Sequence, residues 1–112
     1  MAAMNAQFGD IELSETVVGE DILLLITGGV RHIGATSTAY VHEDQIKVLT
    51  SALPHHKEHI LTESIAVRVA EALSRTVTVV MGIHYDNLSK EGVAEVVKHV
   101  EEKVNHYLLQ QI

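Results

Sequence analysis

A short stretch near the N-terminus carries the residue types best suited to ligand contact. A fully apolar segment, residues 22–26, is followed by polar and flexible positions, namely Thr27, Gly28, Gly29, Arg31, His32 and Gly34. Glycine permits positive φ and close approach to the backbone, and histidine can donate, accept or gain a proton near neutral pH. The same pattern is typical of a tight turn between two strands, so a ligand site and a plain turn are both open.

Two more histidines fall at predicted boundaries between elements, as His32 does. His56 lies with Lys57 before the first predicted helix, and His84 follows the fifth predicted strand. Loops at one edge of a sheet can converge on one pocket, so we expect these histidines to share a pocket if the strand directions bring them together. Lys57 adds positive charge near a helix N-terminus, which favours an anionic ligand. Asp86 either orients a histidine, accepts from a ligand, or serves the turn before the last helix.

Histidines close together at the start of the first helix suggest a partial metal site. His55 and His59 are four residues apart, and His56 lies between them. Zinc normally takes three or four protein ligands, and the HExxH pattern with its glutamate base is absent from the sequence. We therefore predict no metal and interpret these histidines as solvated, with a small metal-dependent enzyme as the weakest alternative.

The sequence also lacks the patterns of nucleophilic and nucleotide-dependent enzymes. It has no cysteine, its serines lie within predicted strands or at caps, and neither GxGxxG nor GxxxxGK[ST] occurs. We predict no catalytic residues and a protein that is not an enzyme.

Length and composition set the class of protein. With 112 residues the chain fits one domain spanning residues 1–112. Its 15 acidic and 8 basic side chains give a formal net charge of −7, which repels nucleic acid and anionic membranes at long range. No apolar run approaches the ~18 residues of a membrane span, and the absence of cysteine fits a reducing compartment. We expect a cytoplasmic protein that binds neither nucleic acid nor membrane.

Hydrophobic periodicity predicts the elements that position these residues. Alternation or continuous apolar character predicts strands over residues 8–18, 22–26, 34–41, 46–53 and 77–83. Apolar residues at helical spacing predict amphipathic helices over 57–74 and from 89 to 108, with Ser89 as the N-cap of the second. The order ββββαβα predicts an α+β fold, in which a single, mostly antiparallel sheet is backed by two helices on one face.

The pattern within each element predicts how it is buried. The continuous run 22–26 predicts a strand buried on both faces, whereas the small side chains of Ala35, Ser37 and Ala39 suit close packing by a helix. A stripe of apolar residues predicts that the last helix covers the sheet: Val93, Val96, Val97, Val100, Val104 and Leu108. The other face of the sheet is left either solvated or as a dimer surface.

Three ordered motifs resemble the small LpdD family, the proteins similar to the D subunit associated with gallate decarboxylase and described as prenylated flavin chaperone-like. The motifs are residues 24–35 with the glycine pair and His32, the pair His56-Lys57, and residues 82–89 with His84 and Asp86. The resemblance extends over about residues 22–108. Members of the family often carry proline before the first histidine, where this chain has Arg31, and an arginine at that position could contact a phosphate. The family is also similar in architecture to proteasome assembly chaperones, which work as dimeric binding modules.

The resemblance implies an accessory protein associated with a UbiD-type decarboxylase, an enzyme that acts on aromatic or unsaturated acids with prenylated FMN. The accessory protein would bind that cofactor or the decarboxylase subunit, and would form a homodimer. The implied cofactor-binding residues are those of the three motifs: Thr27, Gly28, Gly29, Arg31, His32, Gly34, His56, Lys57, His84 and Asp86. Asp86 would position His84. The alternative is a protein-interaction or assembly module without a ligand, in which the histidine loops are structural.

Overall fold

A computed structural model describes residues 6–54 and 58–111 of the chain, and within these ranges it contains five strands and two α-helices. The strands are β1 (Glu12–Val18), β2 (Asp21–Gly29), β3 (Ala35–His42), β4 (Gln45–Ala52) and β5 (Val77–His84). The helices are α1 (His59–Leu73) and α2 (Lys90–Gln110), and a single 3-10 turn, Ala6–Phe8, precedes β1. The predicted order ββββαβα is confirmed.

The five strands form one open sheet in the order β1-β2-β5-β3-β4. Two antiparallel hairpins, β1 with β2 and β3 with β4, lie on either side of β5. The central strand β5 is parallel to β2 and antiparallel to β3. The prediction of a mostly antiparallel α+β sheet is therefore confirmed, with one parallel pair at its centre.

The hydrophobic core lies between one face of this sheet and the two helices. Alternate residues of β2 and β5 are fully or almost fully buried there, because every second side chain of a strand points to the same face; they are Ile22, Leu24, Ile26, Val77, Val79 and Met81. The two helices contribute buried residues to the same cluster: Ile65, Ala66, Val69, Ala70, Val96, Val100, Val104 and Tyr107. The placement of both helices on one face is confirmed.

The small-residue face of β3 lies beneath α1, as its composition predicts. Ala35, Ser37 and Ala39 are buried. The Ser37 hydroxyl lies 2.7 Å from the hydroxyls of both Thr62 in α1 and Thr50 in β4. Since each hydroxyl can donate once and accept twice, this row of three satisfies a buried polar group while it fastens the helix to the sheet.

Three expectations about burial and boundaries are wrong. Residues 22–26 are not buried on both faces, because no helix of the described residues packs on the second face and Leu25 is 38% exposed there. The first strand does not begin at residue 8, since Phe8 and Ile11 enter the core from the turn that precedes β1. Gly28 and Gly29 complete β2 and so are not loop residues.

The second helix follows its prediction closely at the N-terminus and less closely along its length. The backbone N–H of Gly92 donates to Ser89 Oγ at 3.0 Å, which confirms Ser89 as the N-cap. Val93, however, is half exposed, and Tyr107 takes a buried position that the apolar stripe did not include. The helix therefore leaves part of the predicted stripe open near its N-terminus.

Candidate functional site

One edge of the sheet collects most of the described residues that the sequence singled out. Because β2 and β5 are parallel, both end at this edge, where Gly29 lies opposite His84. The antiparallel strand β3 begins at the same edge, with Ala35 opposite Met81. Both helices also begin here. The helix α1 leads to the start of β5 at the opposite edge and so begins at this one, and α2 follows the end of β5. We call this the site edge.

His32 and His84 meet at the site edge although they are far apart in sequence. Their ring centroids are 6.3 Å apart and the rings are nearly perpendicular, at 86°. The loop that carries His32 is held by backbone hydrogen bonds, from Val30 N to His84 O and from Gly34 N to Met81 O, each 2.9 Å. The structure thus brings together two of the three predicted histidines. His56, with Lys57 and His55, lies outside the described residues.

A carboxylate that the sequence analysis missed lies beside His32. Glu58 precedes α1, and its Oε2 is 3.3 Å from His32 Nε2. The same oxygen accepts from the backbone N–H of Ile83 at 3.3 Å. The two side chains are mostly buried, with 11% of Glu58 and 23% of His32 exposed. The only feature of the sequence that points to Glu58 is its position next to a histidine cluster at a helix start. Ordinary solvated acidic residues occur in the same position.

His84 is the more exposed of the two histidines, and Asp86 is its partner. Asp86 Oδ1 lies 3.0 Å from His84 Nε2, and about half of the His84 side chain is open to solvent. A carboxylate on one ring nitrogen orients an imidazole and fixes which nitrogen carries its proton. The arrangement leaves the rest of the ring able to contact a ligand.

The glycines of the site edge are places where protein atoms approach the backbone closely. A Cβ at Gly29, whose φ is +66°, would collide with the backbone carbonyl of His84, and one at Gly34 would collide with the Glu58 carboxylate. A Cβ at Gly82 would overlap the backbone carbonyl of His32. At Gly28 it would lie 2.8 Å from Ile11 Cγ1. This packing is a structural reason for glycine at each position, and a role in ligand binding remains a prediction.

A second acidic residue that the sequence analysis missed, Asp10, fastens the start of the chain to the site edge. Its Oδ2 accepts from Gly29 N at 2.8 Å, and its Oδ1 accepts from the Tyr85 hydroxyl at 2.5 Å. The hydrogen bond from Tyr85, and next the one from Gly29, hold the pKa of Asp10 below its usual value. Burial, followed by the hydrogen bond to Asp10, raises the pKa of Tyr85 well above its usual value. Tyr85 therefore remains a protonated donor at neutral pH.

The remaining predicted residues lie nearby in different surroundings. Arg31 is exposed and its guanidinium lies 3.5 Å from Glu12 Oε2. An exposed ion pair of this kind contributes little to stability, so the arginine is available to another anion. Thr27 is buried next to Gly82 in the sheet. Among residues 6–54 and 58–111, no group of three or more His, Cys, Asp or Glu side chains could hold a metal ion.

The fold is similar to that of a solved structure. It is similar to a crystal structure of a chaperone complex for yeast 20S proteasome assembly, with a TM-score of 0.54 over 91% of this chain and 79% of that chain. The two sequences are 13% identical, so the similarity concerns the fold alone.

The amino-acid sequence shows to which family the chain belongs. The prenylated flavin chaperone LpdD-like domain matches residues 6–112, and the chain belongs to this family. It is 32% identical over 81 residues to protein LpdD of Lactiplantibacillus plantarum, a match that covers 70% of this chain and 60% of that protein. The resemblance expected from the three motifs is confirmed. The described residues contain no helix both long and apolar enough to cross a membrane.

Proposed function

We propose that this protein is a non-catalytic accessory protein that binds prenylated FMN at the site edge and acts with a UbiD-type decarboxylase. Membership of the prenylated flavin chaperone family supports the chaperone-like role. The main support for a binding site here is the proximity of His32 and His84, whose ring centroids are 6.3 Å apart. They lie at an edge where two strands end and two helices begin. Ligands commonly bind where loops from several elements converge.

The residues at the site edge fit a flavin with a phosphate group. Arg31 is an exposed donor that suits a phosphate, and so is the second ring N–H of His84 when the imidazole is protonated; Asp86 holds His84 in position. Two carboxylates nearby already accept hydrogen bonds: Asp10 from Tyr85 and Gly29, and Glu58 from Ile83. Each accepted hydrogen bond offsets part of the repulsion that a carboxylate would exert on an anionic ligand. When bound to the decarboxylase, prenylated FMN supplies the chemistry that removes carbon dioxide; this protein would bind and orient it.

An anaerobic titration with prenylated FMN and with FMN tests this proposal. We expect wild-type protein to bind prenylated FMN, and His84→Ala to weaken binding about tenfold, the loss of one or two hydrogen bonds to a charged group. His42→Ala is the matched control, because His42 also pairs with a neighbouring carboxylate, that of Glu43 at 3.7 Å, but ends β3 at the opposite edge of the sheet. Equal weakening by both variants, or no binding by wild type, would contradict the proposal.

The uncovered face of the sheet supports the proposed homodimer. Leu25 and Leu49 are exposed on this face, and Leu23, Tyr40 and Val80 are half-buried beside them. Apolar side chains exposed together on a sheet are typical of an interface. We propose that a second copy of the chain packs here, which leaves both site edges accessible.

The same face is the observation that favours the second candidate function, an assembly module without a ligand. The two candidate functions predict different results in measurements of flavin binding and of decarboxylase capture. We expect light scattering to give twice the 12.3 kDa of one chain, and Leu49→Lys to give monomers that still bind prenylated FMN. An assembly module would instead capture the decarboxylase without binding either flavin, and would keep that capture in His84→Ala.

A further inference from the structure

Three donors converge on one exposed carboxylate at the site edge, that of Asp10. The backbone N–H of Gly29 donates to its Oδ2 at 2.8 Å, and the Tyr85 hydroxyl donates to its Oδ1 at 2.5 Å. The hydrogen bonds from Tyr85 and Gly29 lower the pKa of Asp10, and the positive charge of Arg31 lowers it further. Each donor comes from a different segment: the end of β2, the loop after it, and the residue after β5. We call Gly29 N–H, Tyr85 O–H and the Arg31 guanidinium the donor cluster.

The donor cluster has the composition and the position of an anion-binding site. Backbone N–H groups, hydroxyls and guanidinium groups are strong donors to the oxygens of phosphates and carboxylates. Burial, followed by the hydrogen bond to Asp10, raises the pKa of Tyr85, so its hydroxyl faces an anion as a donor at neutral pH. The cluster also lies where the parallel strands β2 and β5 both end. Ligands of open sheets commonly bind just beyond the carboxyl ends of parallel strands.

The side chain of Asp10 can leave the donor cluster without unfolding the turn that carries it. Asp10 is exposed, whereas Phe8 and Ile11 on either side of it are buried in the core. A rotation of its side chain to another staggered rotamer therefore breaks both hydrogen bonds while the backbone stays in place. Because water can replace hydrogen bonds at an exposed carboxylate, their loss costs little free energy. An anion that reaches the site edge can thus take the place of Asp10.

We propose that the donor cluster is a subsite for a phosphate monoester, and that the Asp10 carboxylate occupies it until the phosphate of the ligand displaces it. This inference rests on the proposed function, whose ligand, prenylated FMN, carries such a phosphate. A phosphate monoester bears about 1.5–2 negative charges near neutral pH, more than the single charge of a carboxylate. It also presents three terminal oxygens, one for each donor of the cluster. Asp10 is therefore a built-in competitor that a phosphate displaces and a neutral group does not.

Asp10→Asn tests the inference, with Asp21→Asn as the matched control. Both changes replace an exposed aspartate by its amide and remove one negative charge, but Asp21 begins β2 at the opposite edge of the sheet. The amide nitrogen cannot accept a hydrogen bond from Tyr85, so Asp10→Asn competes less with a phosphate. We expect this variant to bind prenylated FMN about fivefold more tightly than wild type, or by ~1 kcal/mol. Asp21→Asn should stay within about twofold of wild type, because solvent screens a distant charge.

FMN and riboflavin differ only in the phosphate, and so they show which part of the ligand gains affinity. We expect Asp10→Asn to tighten the binding of FMN and to leave the binding of riboflavin unchanged. Equal gains for the two flavins overturn the inference. An affinity of Asp10→Asn for prenylated FMN that does not exceed that of Asp21→Asn also overturns it, and leaves the proposed function standing.

A measurement without flavin separates the donor cluster from the proposed function. Inorganic phosphate is added at millimolar concentration to nitrogen-labelled protein, with chloride at equal ionic strength as the control and benzoate as a carboxylate probe. We expect phosphate to shift the amide NMR signal of Gly29 in Asp10→Asn, and the shift to shrink when Tyr85→Phe is added. If wild type binds neither FMN nor prenylated FMN while phosphate still shifts this signal, the proposed function fails and the anion site stands. A Gly29 signal that phosphate leaves unmoved, or that benzoate shifts more than phosphate does, overturns the inference.

Discussion

Replacing Gly82 by alanine tests whether the site edge depends on backbone contact between β5 and the loop that carries His32. Gly82 lies in β5 and is buried. An alanine Cβ would overlap the backbone carbonyl oxygen of His32 and would lie 3.2 Å from its backbone nitrogen, whereas real Cβ atoms essentially never come closer than 3.0 Å to another group. Both atoms belong to the backbone, so a change of rotamer cannot relieve the overlap, and the loop must move by more than an ångström.

The expected cost follows from what that movement breaks. Overpacking a well-packed position costs about 1–3 kcal/mol. The displaced loop also carries His32 away from Glu58, and in the wild-type protein His32 Nε2 lies 3.3 Å from Glu58 Oε2. We expect the free energy of unfolding to fall by about 3 kcal/mol, at the upper end of that range. For a domain of this size the melting temperature should fall by about 10–20 °C. A domain stabilised by about 5–15 kcal/mol remains folded after such a loss.

Thermal unfolding followed by circular dichroism measures the change, and imidazole NMR signals report on His32 and His84. Gly92→Ala is the control, because its Cβ would meet the flexible side-chain end of Leu88 at 3.0 Å and alanine is favoured over glycine within a helix by up to about 1 kcal/mol. Its melting temperature should stay the same or rise. A melting temperature of Gly82→Ala within about 2 °C of wild type, with unmoved histidine signals, would refute the reasoning.

Two further predictions concern polar contacts outside the core. Asp10→Asn should lower the free energy of unfolding by about 1 kcal/mol near neutral pH, since it weakens two surface hydrogen bonds to a charged acceptor. The pKa of Asp10 in the folded protein lies below its ordinary value of 3.8, so the advantage of wild type is present above that value and is lost as the pH falls below it. Urea unfolding between about pH 6 and pH 3 checks this, and a constant difference across that window would exclude the assigned role. Ser89→Ala should cost about 1 kcal/mol because the N-cap of α2 is lost; urea unfolding that differs from wild type by less than about 0.3 kcal/mol would argue against the cap.

The order and type of the elements could be predicted because, in most of them, the spacing of apolar residues along the sequence matches the spacing of buried side chains. The alternation of Val77, Val79 and Met81 is the direct cause of their burial on one face. The continuous run 22–26 was misleading, since apolar side chains at Leu23 and Leu25 do not reveal whether the second face is covered within the chain or left for another molecule. No local signal places β5 between the two hairpins, because that position is decided by packing between distant segments.

The candidate site could be predicted in part. Glycine and histidine at element boundaries indicated the loops, and the parallel pairing of β2 with β5 is what brings His32 to His84. The sequence did not single out Glu58 and Asp10, because a carboxylate on its own is expected in solvent. Their roles depend on backbone N–H groups of Ile83 and Gly29 that only the folded chain presents.

The central position of β5 has a consequence for how the protein forms. Each hairpin contains only neighbouring segments and can pair early, but β5 becomes available only after residue 84 has left the ribosome, later than both hairpins. Until this strand inserts, the two hairpins share no edge and His32 has no neighbour in His84. Pairing over such long separations in sequence is slow. Formation of the proposed binding site is thus coupled to completion of folding, and an incompletely folded chain does not bring His32 and His84 together.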